Sequence, residues 1–448
     1  MKTFHIKKGL DIPISGAPQG SIRKGNKVGQ VAIVADDYIG MKPTMLVKEG
    51  EKVALGQALF TDKKNEGIVF TAPGCGTVSS INRGAKRKFE SIIIRLDGDD
   101  AVEFCTPGAA LDSYTQEKIR ALFIKSGLWT TIRTRPYGKN PAIESTPSSL
   151  FITAADSAPL AADPQVVIEN SPESYQLGLQ ILRKMLPCPI NYCTGADTLL
   201  DAEQVDGLDY YSFQGPHPSG LPSTHIHFVD PVSEHKTVWH IGYQDVIAIG
   251  HLFAHGQLLT DKIVSLCGAG TIDPSLVWTR VGACLPELCR RELSLDDSRI
   301  ISGSVLSGRE SDGNTGFLGR YHDQVSVIYD SPGRSIFNWL LPGLKRFSTR
   351  PVFASAYVKD LKLPMNTALW GGGRAIYPLG TYDEVMPLDI IATSLLKSIS
   401  KGDTEKSVAL GCLELIEDDL GLCGFVCPGK NEFGPVLRDV LTAIELGG

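Results

Sequence analysis

The chain has 448 residues, enough for about two to four domains with cores of their own. Apolar residues make up 42% and charged residues 21%, a composition that excludes fibrous and disordered classes and fits ordinary globular protein. The formal charge of −6 leaves no basic footprint, which argues against nucleic acid as a partner.

The N-terminus, "MKTFHIKKGLDIPISG", has no apolar signal core and breaks at Gly9, Pro13 and Gly16, so a cytosolic chain is expected. Residues 1–105 are short β-patterned runs between glycines, as in "TMLVKEGEKVALGQALF" and "GIVFTAPGCGTVSSI", and predict a small barrel or flattened sandwich. The paired segments resemble a biotinyl/lipoyl-carrier hammerhead, with Asp62-Lys63 where carriers place the modified lysine. The arm from Gly56 to Lys63 is shorter than in carriers, and Lys63 and Lys64 read as solvated turn charges.

Residues 106–256 change to α/β texture. "YTQEKIRALFIKSG" is a helix stopped by Gly127, "SLFITAAD" a buried strand, and "DPQVVIENSPESYQLGLQILRKML" is amphipathic in its second half. A strand is expected near "PINYC", another over "THIHFVDPV", and a helix over "VWHIGYQDVIAIGHLFAHG"; the alternation predicts a Rossmann-like, largely parallel sheet. The longest clean apolar stretch, Val246 to Ala254, is far short of the roughly 20 residues that span a bilayer. Residues 257–330 give strand, turn at Asp273-Pro274, strand and short helix, the order of a ubiquitin-like β-grasp. Residues 331–380 suggest an extended hairpin returning towards the barrel, and 381–448 a small helical domain. The expected class is therefore α+β multidomain: lipoyl-like β-barrel, Rossmann-like domain, β-grasp domain of the SLBB kind, and helical tail.

That order resembles the flavin-binding subunits of respiratory NADH dehydrogenases. Within the group, "IKKGLDIPISGAP", "FTDKKNEGIVFTAPGCGTVSSINRGAKR", "FQGPHPSGLPSTHIHFVDPV", "WGGGRAIYPLGTYDEVMPLDI" and "DLGLCGFVCPGKNEFGPVLR" carry a resemblance to the A-subunit family of sodium-translocating NADH:quinone reductases, spanning essentially the whole chain. The resemblance implies a peripheral subunit on the cytoplasmic face of a bacterial inner membrane. It also implies other subunits of that complex as partners, ubiquinone as substrate, and flavins and iron–sulfur centres on those partner subunits.

Two segments test for cofactors. Relatives carry a glycine-rich phosphate loop after the first helix; here the stretch is "GLWTTIRTRPYG", with Thr130, Ile132, Arg133 and Arg135 roughly where glycines are needed. Arg133 and Arg135 are expected to be solvated, bridged to carboxylates, or paired with an anion. The run C-x2-C-x2-C-x3-C-P would supply four thiolates. Counting back from Cys427, Cys423 is present, but Leu420 and Glu417 occupy the other positions, and Cys412 is out of register. No flavin or cluster of its own is expected, and no catalytic acid–base set is visible. The ten cysteines are too sparse for a disulfide scaffold, and no metal ligand set is complete. Two alternatives remain: an electron-transfer subunit carrying flavin or a cluster, or a ligand-free structural adaptor.

The turn "GPHPSGLPSTHIHF" would put His225 and His227 on one face if it were a strand. It reads either as a rigid loop with its histidines hydrogen-bonded in, or as a ligand lip. Neutral histidine can donate to a quinone carbonyl, so His217, Gly220, Leu221, Pro222, His225 and Phe228 form the quinone-pocket candidate. "SIFNWLLPGLKRF" places Phe337, Trp339, Leu340 and Leu341 beside Lys345 and Arg346. It reads either as a hairpin on its own domain or as a membrane or partner contact.

Overall fold

The computed structural model describes every residue except 1, 196–204, 296, 332–341, 370 and 448, together with the side chain of residue 20. Phe337, Trp339, Leu340 and Leu341 therefore lie outside the described residues. No helix among the described residues is long and apolar enough to cross a membrane.

The α/β layer sets the geometry of everything else. Its sheet runs in the order Lys2–His5, Leu208–Gln214, Ile190–Gly195, Leu150–Ala154, Val238–Gly242, Arg133–Arg135, parallel except for the last pair. Leu150–Ala154 is buried throughout, as a central parallel strand must be. Its residues alternate faces: Leu150, Ile152 and Ala154 join the core shared with the helices Pro172–Met185 and Tyr243–His255, whereas Phe151 joins a second cluster with Phe213 and Ile226. The two helices meet at glycine: a Cβ on Gly250 would lie 1.7 Å from the Ser174 carbonyl oxygen, and one on Gly178 would lie 2.1 Å from that of Val246.

The first helix, Gln116–Ser126, is capped by the Thr115 side chain and ends at Gly127 with φ 79°. The barrel is two facing sheets, one with strands Gln30–Val34, Phe89–Leu96, Gly76–Arg83 and Lys52–Val53, the other with Pro43–Met45, Ala58–Asp62 and Val69–Thr71. Asp62 Oδ1 accepts from the N–H groups of Lys42 and Lys64, so the Asp62-Lys63 pair is a turn clamp. The β-grasp sheet runs Arg309–Glu310, Ser298–Ser302, Gln324–Tyr329, Asp261–Cys267, Ser275–Arg280, Gln19–Lys24, with the short helix Leu285–Leu288. Short helices form the C-terminal domain, ending in Phe433–Glu445.

Three sequence expectations change. The first strand belongs to the α/β sheet, where Phe4 stacks on Phe213 at 5.0 Å, and Gln19–Lys24 completes the β-grasp sheet; neither lies in the barrel. "THIHFV" is a helix, Pro222–Val229, and the expected strand is instead Val238–Gly242. Proline in the first turn suits a helix start, and a short apolar run does not distinguish the two periods. Finally, the described part of 331–380 contains no strand; one short turn of helix, Ala354–Tyr357, and single bridges from Leu363 to Ile14 and from Asn366 to Tyr329 fasten it down.

A cleft at the strand ends

From Leu150–Ala154 the chain passes through Pro172–Met185 to Ile190–Gly195 on one side. It returns from Leu208–Gln214 through Pro222–Val229 to Val238–Gly242 on the other. The strand order thus reverses beside Leu150–Ala154, and open α/β sheets bind ligands in the crevice at the carboxyl ends there. A cavity of about 160 Å³ occupies this place, lined by Thr153, Asp156, His217, Leu221 and Tyr243 of the α/β layer and capped by Lys262, His322 and Asp323 of the β-grasp and Asp418 of the helical domain. The β-grasp is held over it by the Gln244 side chain, which pairs with both the N–H and the C=O of Ile263 (3.1 and 2.7 Å), and by Arg320 with Asp245 at 2.6 Å.

Four of the six expected quinone-pocket residues are here: His217, Gly220, Leu221 and Pro222. Gly220 is required by close approach, since a Cβ would stand 2.5 Å from the Ser157 nitrogen. Ser157 Oγ accepts from Gly220 N–H at 2.8 Å and lies 3.1 Å from His217 Nδ1. Burial pulls His217 down to about 4, so the ring is neutral at physiological pH.

The other two candidates lie elsewhere. His225 is wholly buried against Phe213 with Nε2 on the Ser219 carbonyl, and burial takes it down to about 3. Phe228 is a partly exposed ring near Phe4 on the far face. Two residues apart on a helix, His225 and His227 diverge by about 200°; His227 instead accepts from Asp389 N–H and contacts Glu414 at 2.7 Å.

The cleft also holds polar groups outside the sequence candidates. Thr153 Oγ1 is buried with no hydrogen-bond partner among the described residues. Tyr243 Oη makes no well-formed hydrogen bond, although the Gln244 amide stands beside it. Burial pushes Asp156 up to about 7; an N–H bond from Ala158 opposes this, and Asp323 and Asp418 add to it. Asp156 ends the stretch "SLFITAAD", and an acid at the carboxyl end of a parallel strand is the signal that marks it.

The segment that replaces the glycine loop is filled with side chains. Trp129, Thr130 and Thr131 are buried, Trp129 packs edge-on against Trp239 at 5.5 Å, and Arg133 lies 4.2 Å over the Tyr321 ring. Of the alternatives expected for Arg135, solvation does not hold. It is fully buried, with Nη1 2.6 Å from His240 Nε2 and Nε 3.3 Å from Ser223 Oγ, and Ser223 Oγ donates to Asp419 at 2.7 Å. Burial lowers Arg135 to about 10, with Asp419 opposing, and drives His240 far below its ordinary value, so its Nε2 accepts from the guanidinium.

In the cysteine run, Glu417 forms a two-point pair with Arg438 (2.5 and 2.8 Å) and Leu420 is buried in the helical core. Burial raises Cys423 to about 12. For Cys427 burial also pushes upward, but hydrogen bonds from Tyr382 (3.1 Å) and Asn431 and from backbone N–H groups outweigh it, leaving the thiol below its ordinary value. At these two segments the described side chains offer neither four thiolates for a cluster nor an open glycine backbone for a flavin phosphate.

The chain is thus an α+β assembly of barrel, parallel sheet, β-grasp and helical tail, with a crevice at the strand switch point. The chain matches the descriptions NqrA N-terminal barrel-sandwich hybrid domain over residues 4–97, NqrA second alpha/beta domain over 114–258 and NQRA C-terminal domain over 263–313. It is 48% identical over 444 residues to the A-subunit of the Na(+)-translocating NADH-quinone reductase of Yersinia pestis and to that of Photorhabdus laumondii, and 47% identical to that of Pasteurella multocida, covering 99% of each chain in every case. The chain belongs to this NqrA family, the A-subunits of the Na(+)-translocating NADH-quinone reductase, an oxidoreductase complex. Among solved structures, an NAD+-reducing [NiFe]-hydrogenase in the H2-reduced state aligns over 77% of this chain and 64% of its own at 11% identity, with a TM-score of 0.38.

Proposed function

We propose that this subunit receives the ring of ubiquinone in the cleft at the strand ends, as a peripheral component on the cytoplasmic face of the inner membrane, with no flavin or iron–sulfur cluster of its own. The observation that carries the reading is Thr153. A buried hydroxyl without a partner costs about 1–3 kcal/mol unless something bonds to it, and Thr153 is among the residues that line the crevice where α/β sheets take ligands. Thr153 and Tyr243 would donate to the carbonyl oxygens, with His217 as a third donor, and Leu221, Pro222 and Ile241 offer apolar wall. Asp156, half protonated near neutrality, stands where reduction of the ring calls for protons; the electrons come from partner subunits. The reading that the chain holds neither cofactor is supported by Trp129, Thr130 and Thr131 filling the phosphate loop, and by Leu420 and Glu417 in place of thiolates.

The test is titration of a short-chain ubiquinone analogue against the isolated chain and its Thr153→Val and His217→Ala variants. Thr153→Val removes the hydroxyl and nothing else. The expected outcome is thermal stability at or above that of the wild type, since an unpaired buried hydroxyl is removed, with affinity about three- to tenfold weaker, one hydrogen bond's worth. Saturable binding equal in all three chains would place the ligand elsewhere, and its absence from all three would leave a ligand-free adaptor. Stoichiometric flavin or iron in the purified chain would overturn the cofactor half of the proposal.

A further inference from the structure

Thirteen large hydrophobic side chains are exposed among the described residues, and seven of them fall between 344 and 379. They include Leu344, Val352, Tyr357, Leu369, Tyr377 and Leu379, with Tyr357 81% exposed. A concentration of this kind exceeds the single apolar residues scattered over an ordinary surface. The same segment, 342–380, carries six basic residues (Lys345, Arg346, Arg350, Lys359, Lys362, Arg374) and one acid, Asp360. Its net charge is thus +5 within a chain of −6, leaving −11 on the remainder. Lys345, Lys359 and Lys362 are exposed and make no ion pair among the described residues. The inner side of the segment is fastened: Phe347 stacks on Phe425 at 5.9 Å, Arg350 pairs with Glu384 at 2.7 Å, and Leu363 bridges to Ile14. An anchored strip whose outer side is apolar and cationic is built to be covered.

We propose that residues 342–369 and 371–380 are the docking surface for another subunit of the complex, one whose facing surface is apolar and acidic. Anionic lipid shares the charge but not the strength. Each lysine near an anionic membrane is worth about fivefold in affinity, so the three unpaired ones give only about 100-fold together, too little for a lasting seat. A protein surface can bury the apolar side chains as well and turn them into contact energy. The inference is independent of the quinone cleft.

Two variants test it, K345E/K359E/K362E and Y357S/L369S. All five side chains are exposed, so folding is expected to be unchanged, checked by circular dichroism and thermal unfolding. Each variant is expressed within the complete complex, and the complex is isolated from detergent-solubilised membranes by a tag on another subunit. The expected result is at least a tenfold loss of this chain from the isolated complex with both variants. Recovery at the wild-type level would overturn the proposal. So would self-association of the isolated wild-type chain that both variants abolish, which would make a second copy the occupant. Binding to phosphatidylglycerol vesicles that the variants lose, with the solubilised complex still intact, would make lipid the occupant and overturn it equally.

Discussion

Asp156→Asn isolates the most unusual charge in the cleft. Burial lifts the Asp156 carboxyl from 3.8 to about 7, with Asp323 and Asp418 adding to the rise against the bond from Ala158. Because the folded pKa lies above the unfolded one, the folded chain keeps a proton between about pH 4 and 7 that the unfolded chain has released. Stability therefore falls as pH rises through that window, and the full penalty applies above it. At about 1.4 kcal/mol per pH unit, the carboxylate costs the fold about 2 kcal/mol at pH 5 and about 4 at pH 8.5. Asparagine keeps the shape and removes the charge, so its advantage over the wild type should grow by about 2–3 kcal/mol between the two pH values. For a domain of this size that is about 5–10 °C in Tm. Thermal unfolding of both chains at pH 5 and 8.5 measures the gap, and infrared titration of the carboxyl band, wild type minus variant, locates the midpoint. A gap that is the same at both pH values, or a carboxyl titrating near 4, would refute the assignment.

Arg135→Met leaves the Asp419 carboxylate buried without its guanidinium and should cost about 3–5 kcal/mol, read by chemical denaturation. The loss should be smaller at pH 5 than at pH 8, because burial has already raised Asp419 to about 6, and Asp419→Asn should recover part of it. Gly250→Ala drives a methyl group into the Ser174 carbonyl at 1.7 Å, and should separate the two helices at a cost of about 1–3 kcal/mol in Tm measurements. Gly220→Ala meets the Ser157 nitrogen at 2.5 Å; it should lower affinity for the ubiquinone analogue several-fold while circular dichroism stays that of the folded chain.

The domain order was legible because each domain has its own texture: glycine-broken alternation in the barrel, strand and helix in turn after residue 115, alternation again after 260. The His217–Pro222 loop was legible because proline, glycine and histidine together rarely serve packing alone. What escaped was everything set by strand order. Thr153 and Tyr243 are ordinary letters in apolar runs, and only the reversal of the sheet beside Leu150–Ala154 turns their positions into a crevice. Which of the alternatives Arg135 takes was not legible because its surroundings, Ser223, His240 and Asp419, are 88 or more residues away in the chain. The helix at Pro222–Val229 was missed for a local reason, an eight-residue apolar run whose period is ambiguous, and that error alone placed His225 and His227 on one face.

The broken cysteine run acquires a purpose once its neighbours are followed. Where a cluster scaffold would present two further thiolates, this chain presents Glu417 and Leu420, with Asp418 and Asp419 between them. Glu417 ties the segment to Arg438 in the last helix, Asp418 reaches the rim of the cleft, and Asp419 holds Ser223 beside the buried Arg135. Ser223 lies in the first turn of the helix that follows the His217–Pro222 loop, so the helical domain fixes the angle at which that loop enters the cleft. Thiolates bound to iron would hold the same segment through a metal; here Glu417 paired with Arg438 and Asp419 bonded to Ser223 hold it. Glu417, one of the two residues that stand in place of thiolates, thus belongs to the acidic run that positions the loop beside the proposed quinone site.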